Sequence, residues 1–151
     1  MLIYEEGDIV NGNYDIFCQQ VNCQHKMGSG LARQIRNKYP EVYKAYMDIK
    51  DQRLGFIDSV ETKDGRICVN MFAQDNYGRD GKCYTNYKAF EACLNAIIGL
   101  IEDRHIKIGA KIAFPYKIGC GLGGGNWDII RDLIDKFSEK VEQDVVIVSL
   151  K

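Results

Sequence analysis

Apolar residues along this chain recur with two periods, one suited to strands and one to helices. Ile16-Phe17-Cys18-Gln19-Gln20-Val21 is a short, largely apolar run that reads as a buried strand. From Leu31 the spacing changes, and Leu31, Ile35 and Tyr39 share a helical face. Pro40 ends that helix and suits the first turn of a second, striped by Val42, Tyr43, Tyr46 and Ile49. Residues 55–60 and 67–72 are apolar runs around Lys63-Asp64-Gly65-Arg66, the pattern of a hairpin. Tyr87, Phe90, Leu94, Ile97 and Ile101 mark a third helix, and Trp127, Ile130, Ile134, Phe137 and Val141 a fourth. Residues 108–114 and 145–148 read as strands, and residues 1–4 as an edge strand before the Asn11-Gly12-Asn13 turn.

Strands alternating with helices predict α/β layering, with helices on both faces of a sheet. The central hairpin adds an antiparallel pair, so the sheet is expected to be mixed. Ligands of such sheets sit beyond the carboxyl ends of strands. Two glycine-rich stretches fall at such ends. Met27-Gly28-Ser29-Gly30-Leu31 follows the strand at 16–21, and Gly119-Cys120-Gly121-Leu122-Gly123-Gly124-Gly125 follows the strand at 108–114. Glycine lets backbone N–H groups converge on an anion, and a helix opening after the loop adds its positive end. Two such loops suit a ligand with two linked phosphates. The first lacks the third glycine and the later acidic residue of a dinucleotide fingerprint, and neither is followed by the Gly-Lys-Ser/Thr of a Walker loop.

Bulk properties narrow the classes. At 151 residues the chain reads as one domain over 1–151. A formal charge of -1 argues against an extended nucleic-acid surface. Six cysteines without CxxC spacing read as reduced thiols of a cytoplasmic protein, and two well-separated histidines argue against a metal site. No signal peptide or membrane-spanning apolar run is read, and no cofactor is expected.

Gly7-Asp8-Ile9, Val21-Asn22-Cys23-Gln24, Met27-Gly28-Ser29-Gly30-Leu31-Ala32 and Ile118-Gly119-Cys120-Gly121-Leu122, in this order, resemble the macrodomain family. The resemblance covers nearly the whole chain. It is nearest the branch holding the terminal ADP-ribose protein glycohydrolase and the yeast ADP-ribose-1″-phosphate phosphatase. It implies a three-layer α/β/α fold with a mixed central sheet and ADP-ribose, or an ADP-ribosylated substrate, as partner. It also implies roles for single residues. Asp8 accepts from the adenine amino group and Ile9 adds a backbone contact. Gly28, Ser29, Gly30 and Leu31 lie beside the diphosphate and distal ribose. Asn22 contacts that ribose, and Gly119, Cys120, Gly121, Leu122 and Gly123 cradle the diphosphate.

The chemistry implied by that branch meets two substitutions. Its nucleophilic lysine falls at or beside Gln74 and its assisting aspartate at Gly123, and neither residue here is a nucleophile or base. The phosphatase-like histidine falls near Gln19. The remaining candidates to place or activate a water are Asn22, Gln74 and Asp80, with Asp75, His25 and Lys82 nearby in sequence. Asp75 and Asp80 serve only if their loop folds inward; otherwise they are solvated turn residues. Tyr77 and Trp127 can cover a ligand, although Trp127 also fits the apolar stripe of its helix. The expectation is hydrolysis of an ADP-ribosyl adduct, O-acetyl-ADP-ribose or ADP-ribose-1″-phosphate. Non-catalytic reading of ADP-ribose, and nucleotide binding unrelated to ADP-ribose, are the competing readings.

Overall fold

The computed structural model describes residues 2–28, 30–78 and 80–150. Its elements run β1 (Leu2–Glu6), β2 (Ile16–Asn22), α1 (Gly30–Lys38), α2 (Pro40–Asp48), β3 (Ile57–Glu61), β4 (Ile67–Gln74), α3 (Tyr87–Asp103), β5 (Lys111–Pro115), α4 (Trp127–Glu139) and β6 (Asp144–Ser149). The strands form a six-stranded sheet in the order β1-β6-β5-β2-β4-β3. All neighbours are parallel except β3 and β4, which are antiparallel around the Asp64-Gly65 turn. The sheet is therefore mixed, as the hairpin signal implied.

Side chains of a strand alternate between faces, and here each face has its own helical cover. Ile16 and Cys18 of β2 join Val69 and Met71 of β4, Phe90 and Ile97 of α3, and Ile130 and Ile134 of α4. Phe17, between them, packs instead with Ile35 of α1, Tyr39 at the junction of the two helices and Val42 of α2. Val21, Met27, Tyr46 and Phe72 form a smaller cluster nearer the carboxyl ends of the strands. Burying a ring such as Phe17 or Phe72 contributes about 2–3 kcal/mol each. The result is three layers, α/β/α. Asn86 and Asn126 cap α3 and α4 by accepting from Ala89 N and Asp128 N.

Some boundaries differ from the periodicity. The strand expected over 108–114 starts at Lys111, because Gly109 turns the chain at φ 83 and leaves Ile108 73% exposed. The last helix ends at Glu139, and Val141 packs on the same core from the loop beyond it. The first strand runs on to Glu6, paired with Ser149.

Candidate functional site

β2 and β5 lie side by side, and the chain leaves them in opposite directions. After β2 it passes through α1 and α2 towards β3 and β4, and after β5 it passes through α4 to β6. Reversal of strand order opens a crevice at the carboxyl ends. A cavity of about 630 Å³ occupies it, within the usual range for small-molecule sites. Met27, Gly28, Gly30 and Leu31 form one wall. Gly119, Gly121, Leu122 and Gly123 form the other. Gln19, Gln20, Asn22 and Gln74 lie between them, with Lys26, Lys117, Tyr77 and Tyr116 also on the lining. Among the described residues that lining carries two ammonium groups and no carboxylate or imidazole, which favours an anionic ligand.

Asn22 orders the first wall. Its Oδ1 accepts from Gln24 N at 3.0 Å, Lys26 N at 3.3 Å and the Tyr46 hydroxyl at 2.9 Å, while its Nδ2 donates to Lys26 O at 2.8 Å. An amide nitrogen has two hydrogens, so one donor of Asn22 remains for a ligand. Burial pushes the Tyr46 phenol well up, so it stays protonated and keeps donating to Asn22.

The second wall is tied to β2 and β4 by a chain of side chains. Gln74 Nε2 donates to Asn76 O at 2.8 Å, and Gln74 Oε1 accepts from Gln20 Nε2 at 2.9 Å. Gln20 Nε2 also donates to Thr85 Oγ1 at 2.9 Å, and Thr85 Oγ1 donates to Gly119 O at 2.6 Å. Both ends of this chain are carbonyls, so its direction is fixed at every link. Gly119 has φ 76, and a Cβ there would stand 2.7 Å from Gln20 Oε1. A Cβ on Gly123 would stand 2.7 Å from both Gly119 O and Thr85 Oγ1. Position 123, where the related glycohydrolase is expected to carry an acid, has no room for one.

Thus Asn22, Gln74, Gly28, Gly30, Leu31, Gly119, Gly121, Leu122 and Gly123 meet at one cavity. Asp8, Ile9, Cys120 and Asp80 are not on its lining, and Ser29 lies outside the described residues. Asp8 closes its own turn: Oδ2 accepts from Asn11 Nδ2 at 2.7 Å and Oδ1 from Val10 N at 2.9 Å. The Asn11 side chain first, with the turn amides, holds its carboxyl below the usual range. Burial pushes the Cys120 thiol up, away from nucleophilic use. Asp80 faces outward, accepting from the Tyr84 hydroxyl at 2.8 Å and from Lys82 N at 3.2 Å, so its loop does not fold the carboxylate inward. Lys82 stands 3.8 Å from that carboxylate. His25 Nε2 lies 2.6 Å from the Ile49 carbonyl, which only accepts, so this nitrogen carries the proton. Trp127 packs edge-on against Tyr116 and onto the core.

Two residues that sequence reasoning missed organise the neighbourhood. Thr85 was one. The other is Arg66, whose Nε donates to Tyr14 O at 2.8 Å, Nη1 to Val10 O at 2.5 Å and Nη2 to Ile9 O at 2.8 Å. It holds the Asp8–Asn11 turn from the hairpin, stacked 4.1 Å over Phe17.

Among the described residues, no group of three His, Cys, Asp or Glu side chains is placed to hold a metal ion, and no helix is long and apolar enough to cross a membrane. Comparison with known proteins gives the fold a family. A 17.5 kDa protein of Enterobacteria phage T4, from the tk-vs intergenic region, is 30% identical, with 96% of this chain and 94% of that one covered. The DNA ADP-ribosyl glycohydrolase of Mycobacterium tuberculosis is 25% identical over 97% of this chain, which spans only 42% of that relative's length. Among solved structures, the macrodomain of Mycobacterium tuberculosis DarG superposes with a TM-score of 0.83 at 23% identity, covering 99% of this chain and 97% of that one. Thermosipho africanus DarTG, solved in complex with ADP-ribose, superposes at 0.78 with 24% identity, over 96% of this chain and 40% of that one. The Macro domain family model matches residues 18–134, and the chain belongs to that family.

Proposed function

We propose that residues 1–151 act as one unit that binds ADP-ribose between the two glycine-rich walls and hydrolyses an ADP-ribosyl derivative held there. The observation that carries this reading is the lining of the cavity: glycine-rich backbone on two sides, Lys26 and Lys117, and no carboxylate among the described residues. That surface complements a diphosphate. In the proposed pose Gly28, Gly30 and Leu31 face Gly119, Cys120, Gly121, Leu122 and Gly123 across it, with Ser29 kept as a candidate ligand contact. Asn22 takes the distal ribose with its remaining amide hydrogen, and the Asp8-Ile9 turn, braced by Arg66, takes the adenine. DNA ADP-ribosyl glycohydrolase relatives make ADP-ribosylated DNA the substrate class to try first.

In the proposed reaction on an anomerically linked adduct a water oxygen bonds to the anomeric carbon, the bond from that carbon to the leaving group breaks, and one water proton departs with the leaving group; on O-acetyl-ADP-ribose the water oxygen bonds to the acetyl carbonyl carbon, the ester C–O bond breaks, and the proton goes to the released ribose hydroxyl. Asn22 and Gln74 orient ribose and water through hydrogen bonds and take no proton. Positioning is then the source of the rate. Purified protein is expected to release free ADP-ribose from at least one of an ADP-ribosylated oligonucleotide, O-acetyl-ADP-ribose and ADP-ribose-1″-phosphate.

A second reading, a non-catalytic reader of ADP-ribose, is favoured by the packing that denies position 123 a side chain. Tight binding of ADP-ribose with no release from any of the three substrates selects it. Comparable calorimetric binding of ADP-ribose, AMP, ATP and NAD sinks both readings.

A further inference from the structure

Strand order sets the order in which an elongated ligand crosses the sheet. Asp8 follows β1, the second wall follows β5, Asn22 closes β2 and Gln74 closes β4. The strands lie in the order β1-β6-β5-β2-β4-β3. With adenine on the Asp8-Ile9 turn, the diphosphate between the walls and the distal ribose on Asn22, a group attached to that ribose meets the β4 side of the cavity. The lining there is Gln74, Tyr77 and Gly78. Asp75 and Asp80, the carboxylates of the same segment, are not part of it.

Tyr77 is the aromatic residue at that end, and it is 47% exposed. Tyr116 lines the cavity from the β5 side, where its ring is already engaged, edge-on by Trp127 at 5.2 Å and by Lys117 Nζ at 5.5 Å. Among the described residues the Tyr77 ring has no such neighbour. The backbone beneath it is nonetheless pinned. Tyr77 N donates to Asn76 Oδ1 at 2.8 Å, and Asn76 O accepts from Gln74 Nε2 at 2.8 Å. Gly78, next along, lies against Tyr84, whose hydroxyl would stand 2.5 Å from an added Cβ. That hydroxyl donates to Asp80 at 2.8 Å, so the outward-facing carboxylate holds Tyr84 in place. An exposed tyrosine ring on a fixed backbone offers a large apolar face at little cost in conformational freedom.

We propose that the Tyr77 ring stacks on a planar aromatic group attached to the distal ribose, and that it selects base-linked adducts over the other derivatives. This rests on the ADP-ribose reading above and deepens it by naming the substrate class. A nucleobase presents an aromatic face to a tyrosine, whereas an acetyl ester or a phosphate monoester has none. The ring touches the group that is released, so it adds to the affinity for substrate and not to that for free ADP-ribose.

The probe is ADP-ribose with a neutral benzamide ring joined to the anomeric carbon by a carbon–carbon bond, which the protein cannot hydrolyse. Both anomers are prepared, and the tighter one is compared with ADP-ribose by calorimetry on wild type, Tyr77→Phe and Tyr77→Ala. Wild type is expected to bind the probe more tightly than ADP-ribose. Tyr77→Ala is expected to lower that preference by about tenfold, the size of one base–aromatic stack, with the affinity for ADP-ribose unchanged. Tyr77→Phe, which keeps the ring, is expected to keep the preference. Wild type that binds ADP-ribose but excludes both anomers overturns the proposal. So does a preference kept in Tyr77→Ala, or one lost equally in Tyr77→Phe. ADP-ribose weakened as much as the probe in Tyr77→Ala also overturns it, by placing the ring on the ligand's own adenine. Wild type that binds neither ligand removes the ADP-ribose reading itself, a distinct failure.

Discussion

The two glycine-rich walls look alike in sequence and are built for different reasons. A Cβ on Gly28 of the first wall would meet nothing within 4 Å. The second wall has such slack at Gly121 but not at three of its other glycines. Added Cβ atoms at Gly119, Gly123 and Gly125 would meet Gln20, Thr85 or the backbone of Gly119 at 2.7 or 2.8 Å. In the first wall Asn22 makes most of the side-chain hydrogen bonds that gather the loop leading into α1, with Tyr46 and Gln52 accepting from Lys26 N and His25 N. The second is shaped by close packing against side chains from two other strands and a loop. Glycine therefore keeps space open at Gly28 and Gly121, and closes space within the protein at Gly119, Gly123 and Gly125.

The largest effect that sharpens this contrast is on stability. Gly123→Ala is expected to cost about 2–3 kcal/mol, because its neighbours are a backbone carbonyl and a threonine already committed to a hydrogen bond. Gly28→Ala is expected to stay within about 0.5 kcal/mol, while weakening ADP-ribose where the backbone approaches the phosphates. Urea melts of both variants, with ADP-ribose titrations of Gly28→Ala, make the comparison. Equal stability losses would show that the walls do not differ. Gly123→Asp, which puts an acid where the resemblance expects one, is expected to destabilise further and to gain no activity.

Next in size is Asn22→Ala. Gln24 N loses its acceptor, and Lys26 O loses its donor, although Lys26 N keeps the Tyr46 hydroxyl at 3.1 Å. The expected loss is about 1–2 kcal/mol, with faster amide exchange confined to residues 22–28. Exchange that rises equally around residues 119–125 would mean that the walls are coupled rather than separately built.

The elements and both walls were legible because periodicity and glycine are local signals. The layered fold followed from their order. What was hidden depends on contacts across the sequence. Thr85 carries no motif, and only β4 pairing and the fold bring its hydroxyl to Gly119. Arg66 read as part of a hairpin turn, yet its guanidinium reaches the turn at residues 9–14. Asp80 read as a candidate base, but nothing local says that Tyr84, four residues on, takes its carboxylate. Gln19 did leave a trace, since a glutamine pair interrupting an apolar strand is costly to bury without a purpose. Its partner Asn70, 51 residues away in the hairpin, left none.

The smallest effect is expected at Thr85, and its smallness is informative. Thr85→Val removes the hydroxyl that donates to Gly119 O and accepts from Gln20 Nε2. Neither partner is orphaned. Gly119 O still accepts from Gly125 N at 2.8 Å, and Gln20 Nε2 still donates to Gln74 Oε1. The Thr85 backbone N–H also continues to hold Gly123 O at 2.9 Å. Because an unpaired buried group, not a missing bond, dominates such losses, Thr85→Val should cost only about 1 kcal/mol. Thr85→Ser, which keeps both hydroxyl contacts, should fall within about 0.5 kcal/mol of wild type. A redundant wall tolerates loss of one link, whereas loss of Asn22 leaves Gln24 N and Lys26 O without these partners. A Thr85→Val loss as large as that of Asn22→Ala, measured in the same urea melts, would remove that distinction and make Thr85 the hub of the second wall.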